Sequence, residues 1–169
     1  MDNNNQILVK DACIIIDLIQ LDLLKGFLTL GYKVYTTSSV ISEITDSDQE
    51  EILNTTITSK QITNMPDGDL FDVLRYQKAY KGISFQDATV LELAKRINGT
   101  LLSADGLLRK AGIKEKIIVH GTLWVIHTMF EGQIISKDEA IERIGYLLKI
   151  NARISSEVCS KVIKKIENS

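Results

Sequence analysis

At two places in this chain an apolar run too short to be a helix ends at a polar residue, and a helix-like pattern follows at once. QILV (residues 6–9) leads through Lys10 to Asp11 and then into ACIIIDLIQLDLLKGF; TLLS (100–103) leads to Asp105 and then into DGLLRKAG. Short strands that are apolar on both faces are stable inside a parallel sheet, covered on each side. Parallel neighbours need a crossover between them, and a helix is the usual one. Further strands read at YKVYTT (32–37) and KIIVHG (116–121), with a weaker one at QITNM (61–65). Strand, helix, strand, helix with short connections predicts a three-layer α/β/α sandwich around a central, mostly parallel sheet.

The helix boundaries come from local chemistry. In the first helix Ile15, Leu18, Ile19 and Leu23 fall near helical spacing, and Gly26 stands close to its stop. SSVISEI opens a helix carrying Glu43, residues 46–60 read as helix and then loop, and Pro66 restarts the chain into a helix over 67–81. SFQDATVLELAKRING starts at Ser84 and stops at Asn98-Gly99; DGLLRKAG closes at Gly112. Beyond the fifth strand every segment is helix-like. TLWVIHTMF leads to Gly132, SKDEAIERIGYLLKI opens with a capping box of Ser136 and Glu139, and the last helix ends in lysines at 161, 164 and 165, as its dipole prefers. No repeat, linker or shift of composition divides the chain. We read one domain over 1–169, with a core of about 6–130 and a helical C-terminal extension over 133–169.

Composition excludes several functions. With 44% hydrophobic residues in 169, the chain can bury a sizeable core. Its net charge of -2 gives no basic footprint for nucleic acid, although a bound divalent cation would supply positive charge locally. Two histidines, His120 and His127, rule against a histidine-rich zinc site. Two distant cysteines, Cys13 and Cys159, suit a reducing cytoplasm better than a disulfide framework. MDNNNQ carries no secretory pattern, and the longest apolar run, ACIII, is far too short to span a membrane.

The chemistry lies in four acids at element boundaries. Asp11 and Asp105 follow strands, at the end of a parallel sheet where loops diverge and sites form. Asp87 stands in the first turn of its helix, three, four and seven residues before Val90, Leu91 and Ala94, and so shares their inward stripe. Glu43 sits between Val40 and Ile44. Carboxylates that converge without basic partners repel one another. Mg²⁺ or Mn²⁺, which prefer oxygen ligands, remove that repulsion. Phosphodiester hydrolysis needs such a site and no serine, cysteine or histidine nucleophile. Each acid alone has a plainer reading. Asp105 caps a helix, Ser84 and Asp87 have capping-box spacing, Asp11 caps a strand end, and Glu43 is a solvated helix residue.

The order ILVKDA, SSVISEI, SFQDATVLELAKRINGTLLSADGLLRKAG, IIVHGTLWVI resembles the PIN-domain family over roughly residues 6–130. The block from Ser84 to Gly112 is its most specific part. The resemblance implies a metal-dependent ribonuclease, as in the toxin components of bacterial toxin–antitoxin pairs. By that resemblance the acidic quartet falls on Asp11, Glu43, Asp87 and Asp105, with Ser103 as a supporting hydroxyl. An RNA substrate, an Mg²⁺ or Mn²⁺ cofactor, a cognate antitoxin and a homodimer formed through the early helices are the partners it implies. The region HGTLWVIHTMFEGQIISKDEA looks like a subset of PIN proteins with a helical extension. Two departures stand out. Cys13 replaces a common small hydroxyl or amide residue and weakens a supporting hydrogen bond. Ala104 replaces an acid that often precedes the last Asp.

Other readings compete with a nuclease. A non-catalytic PIN-like binding module would keep the fold without turnover. The sheet and acids alone also allow a metal-dependent phosphatase, or a nuclease acting on DNA or small phosphoesters. Lys10, Arg109 and Lys110 adjoin the acids and are candidate phosphate contacts, each with an ordinary solvated charge as its plainer reading. No arginine clamp for RNA is visible. Asp17 and Asp22 read as solvent-side, His120 as structural, and Trp124 and Phe130 as core or dimer contacts and not a base-stacking platform.

Overall fold

A computed structural model describes residues 7–169, so Gln6 and the polar start of the chain lie outside the described residues. Five strands form one sheet in the order β3-β2-β1-β4-β5: β1 (Ile7–Lys10), β2 (Lys33–Thr37), β3 (Ile62–Met65), β4 (Thr100–Leu102) and β5 (Val119–His120). Every pairing is parallel, with Leu8 opposite Val34 on one side and Thr100 on the other. Strand order therefore reverses at β1, which is flanked by β2 and β4. Leu8, Val9, Leu101 and Leu102 are wholly buried, as continuous apolar strands covered on both faces require. Burial of each such side chain contributes about 1.5–3 kcal/mol.

Helices complete the sandwich. On one side α1 (Ala12–Gln20) packs with α2 (Leu24–Leu28), α4 (Ser47–Thr58) and α8 (Thr122–Glu131). On the other, α6 (Phe85–Arg96) lies over β1, β2 and β4 between α5 (Leu70–Ala79) and α7 (Gly106–Lys114). The extension forms α9 (Lys137–Ile150) and α10 (Ser156–Glu167), which pack on each other and on α8. Ser136 accepts the Glu139 N–H, as its capping position predicts. No helix among the described residues is long and apolar enough to cross a membrane.

The structure corrects several boundaries. The first helix is two: Leu21, Leu23 and Leu24 are all buried, and the chain turns between them at Asp22, whose φ of 55° is one that a short acidic side chain tolerates. The helix opened by SSVI, α3 (Ser38–Ile41), is one turn capped by the Thr37 hydroxyl, so Glu43 follows the helix and does not ride on it. Residues 67–69 precede α5, which Asp69 caps. Gly112 does not close α7, which runs on to Lys114. A Cβ there would stand 2.8 Å from Val119 and 2.9 Å from Leu101, so glycine is needed for close packing of helix on sheet. The fifth strand keeps only Val119 and His120, because Lys116 turns at φ 61°.

Candidate active site

Asp11 ends β1 where strand order reverses, the position at which open parallel sheets bind ligands. Its carboxylate caps α1 by accepting the Ile14 N–H at 3.0 Å. It also accepts the Ser103 hydroxyl, brought alongside because Lys10 is registered with Leu102. The Cys13 thiol donates to both its oxygens at 3.0 Å. The supporting hydrogen bond expected of a hydroxyl is thus present in its weaker thiol form. Asp11 is 4% exposed. Burial is the main force pushing its carboxyl up to about 6; the hydrogen bonds from Cys13, Ser103 and Ile14 oppose the rise, and the charge of Asp87 adds to it.

Ser103 connects Asp11 to Asp105, since its oxygen accepts the Asp105 N–H at 3.0 Å while its hydroxyl faces Asp11. The Asp105 side chain turns into α7, where one oxygen accepts the N–H groups of Leu107 and Leu108. Its other oxygen lies 3.9 Å from the Arg153 guanidinium. Asp87 is held by a reciprocal capping box. Its N–H donates to the Ser84 hydroxyl at 2.9 Å, and its carboxylate accepts the Ser84 N–H at 2.8 Å. The start of α6 is tied to the end of β2 by the Thr37 and Thr89 hydroxyls, 2.8 Å apart. That tie sets Asp87 where its charge is felt by both Asp11 and Glu43. The Glu43 carboxyl is raised by burial first and by Asp87 second, although the residue as a whole is exposed.

The four acids do not close into one coordination cage. Among the described residues, no three His, Cys, Asp or Glu side chains form a group that could hold a metal ion as they stand. Asp11, Asp87 and Glu43 share a field, whereas Asp105 is joined to Asp11 only through Ser103 and serves its helix. The donor chemistry nevertheless suits a hard cation. Carboxylate and hydroxyl oxygens face one another, and among the described residues no lysine, arginine or histidine forms an ion pair with Asp11, Glu43 or Asp87. A buried carboxyl driven toward protonation is a group that a divalent cation would stabilise in its charged form.

Residues 7–168 match the model of the DUF3368 family, described as a PIN domain. The chain is a PIN domain. Such domains are generally nuclease-like and generally use divalent metals. Among solved structures, PAE2754 from Pyrobaculum aerophilum is similar over 73% of this chain and 88% of its own, with 18% identity and a TM-score of 0.55. A PilT N-terminus domain protein, SSO1118, from Sulfolobus solfataricus P2 is similar over 75% of this chain and 95% of its own, with 12% identity and a TM-score of 0.46. The likeness to PAE2754 is one of fold. Among curated proteins, none matches the chain.

Around the acids this PIN domain departs from the sequence reading in two places. Lys10 is not a phosphate contact. It is wholly buried, its Nζ has no hydrogen-bond partner among the described residues, and the ammonium sits 4.0 Å from the centre of the Phe27 ring. Strand alternation explains this, because Lys10 follows Leu8 to the α2 side while Asp11 leaves at the strand end. Asp17 is not solvent-side either. It is 5% exposed and accepts the Thr122 hydroxyl at 2.6 Å and the Asn151 amide at 3.0 and 3.1 Å. Asp22 is exposed as expected.

Arg109 donates to the Ser103 carbonyl at 2.9 Å, and Lys110 is exposed beside it. His120 lies flat against Trp124, with centroids 4.2 Å apart and planes 3° apart. Sequence reasoning missed Asp17, Asn151 and Arg153 at this end of the molecule. Asn151 sits 134 positions from Asp17, and no local pattern carries such a contact.

Proposed function

We propose that this PIN domain is a metal-dependent endoribonuclease that hydrolyses RNA phosphodiester bonds with Mg²⁺ or Mn²⁺. The observation that carries the reading is Asp11. It is a buried carboxylate with no cationic partner among the described residues, placed where strand order reverses and exposed to the field of a second acid, Asp87. Asp11 and Asp87 would hold the ion, with Glu43 as the third group, either a ligand or a group that positions water. When bound, such an ion supplies the neutralising charge and the acidified water that phosphodiester hydrolysis requires. Asp105 would act from the rim, reached through Ser103. Ser103 orients Asp11 by its hydroxyl, and Arg109 and Lys110 stand beside the acids as contacts for the phosphate backbone.

The test is incubation of RNA with the purified protein in Mn²⁺ or Mg²⁺, beside an EDTA control. Internal cleavage should occur with metal and stop with EDTA. No cleavage in either metal would leave the fold serving as a non-catalytic binding module.

A further inference from the structure

Beside Ser103 and Asp105, and reaching Asp11 only through the Ser103 hydroxyl, lies an open cavity of about 760 Å³, bounded by α7, the β5–α8 junction and the turn between α9 and α10. Among the described residues its lining carries three cationic side chains, Arg109, Lys110 and Arg153, against a single carboxylate, Asp105. That local balance is the reverse of the chain's net charge of -2. The same lining includes His120 and Trp124, whose rings stack on each other, with Tyr32 6.1 Å from Trp124. A cationic groove joined to an aromatic surface is how proteins hold single-stranded nucleic acid, with phosphates on the charges and bases on the rings.

Arg153 is the only one of the three cations that comes from the C-terminal extension, and its place is built. Buried Asp17 grips the Asn151 amide nitrogen, and the Asn151 side-chain oxygen accepts the Arg153 N–H at 3.0 Å. The same Asp17 holds the Thr122 hydroxyl at the start of α8, so one carboxylate fixes both the aromatic helix and the turn that bears Arg153. From there the guanidinium reaches to 3.9 Å of Asp105 while remaining 62% exposed, a weak pair in solvent. A phosphate arriving next to the acidic site can take over that guanidinium in a two-pronged contact.

We propose that this cavity seats a nucleotide of single-stranded RNA next to the bond to be cut, with Arg153 holding its phosphate and the His120–Trp124 pair bearing its base. The inference rests on the nuclease reading for the identity of the strand, and its test is separable from that reading. A fluorescein-labelled single-stranded oligoribonucleotide is titrated in EDTA, where no cleavage can occur, and followed by anisotropy and by the emission of Trp124, the chain's one tryptophan. Wild type should bind, quench that emission, and bind a duplex of the same length at least about tenfold more weakly.

Arg153→Ala should weaken single-strand binding about five- to tenfold and lower the slope of log K against log salt by about 0.7, the loss of one phosphate contact. Lys33→Ala, the same loss of charge at the start of β2 on the far side of β1 from β4 and β5, should change neither. Arg153→Ala binding like Lys33→Ala, or wild-type binding without quenching, overturns the proposal even if the protein cleaves RNA with metal. Arg153-dependent binding without metal-dependent cleavage would retain this site and remove the nuclease reading.

Discussion

Asp87→Asn folds and melts like wild type but cleaves RNA slower by on the order of 10²–10³, the range expected when one charge-stabilising group is removed from an active site. The substitution is chosen to separate the two roles of this residue. The Ser84 N–H can still donate to the side-chain amide oxygen of the variant, and the Asp87 N–H bond to Ser84 involves only backbone on the aspartate side. The cap of α6 is therefore largely kept, at a change well under about 1 kcal/mol. What is lost is a negative charge felt by both Asp11 and Glu43. Cleavage rate and melting temperature are measured side by side. A variant with unchanged melting and unchanged cleavage would reduce Asp87 to a helix cap.

Lys10→Met should stabilise the protein by about 3–5 kcal/mol at pH 6. Burial alone lowers the Lys10 ammonium from its usual 10.5 to about 7, which corresponds to a penalty of about 5 kcal/mol on the charged form. Its position over Phe27 returns part of that, up to about 2 kcal/mol for a desolvated cation on a ring. The pH dependence follows from the direction of the shift. Below pH 7 lysine is charged in both folded and unfolded chains, and the full penalty applies. As pH rises from about 7 to 10.5 the folded chain gives up the proton before the unfolded one, so the penalty shrinks and then vanishes. Methionine fills the same space without the charge. Chemical denaturation of both proteins at pH 6 and pH 9.5 checks this: the advantage of the variant should be large at the first and small at the second. An unchanged or lower stability at pH 6 would mean that the ammonium finds a partner in solution.

The layered architecture is legible because period and punctuation agree in the sequence. Apolar runs such as Leu101–Leu102 cannot be helices of their own, and Ser84 and Ser136 mark helix starts by chemistry that acts over three residues. Asp11 and Asp87 are legible as candidates for the same reason, since both stand at element boundaries that the sequence marks. What fails is long-range. Nothing in DLIQL shows that Asp17 faces Thr122 and Asn151, because that contact is closed by tertiary packing across more than 100 positions. Gly112 has the sequence context of a helix stop and is a packing glycine, a distinction made only by the distance to Val119 and Leu101. Lys10 adjoins an acid in sequence, yet strand alternation sends neighbours to different places. Trp124 reads as core from its apolar neighbours, and it does pack against the core, half-buried beside Tyr32. Its stacking on His120 at the wall of a cationic cavity exists only where β5 and the α9–α10 turn meet.

The most direct measurement of the central claim is a calorimetric titration of Mn²⁺ into wild type and Asp11→Asn at pH 7.5. Wild type should bind the cation and rise in melting temperature, because the ion removes the burden of a buried carboxylate that has no cationic partner among the described residues. Asp11→Asn should bind at least about tenfold more weakly while staying folded. Wild type without binding, or a variant that binds equally well, would contradict the assignment of this carboxylate to a metal site.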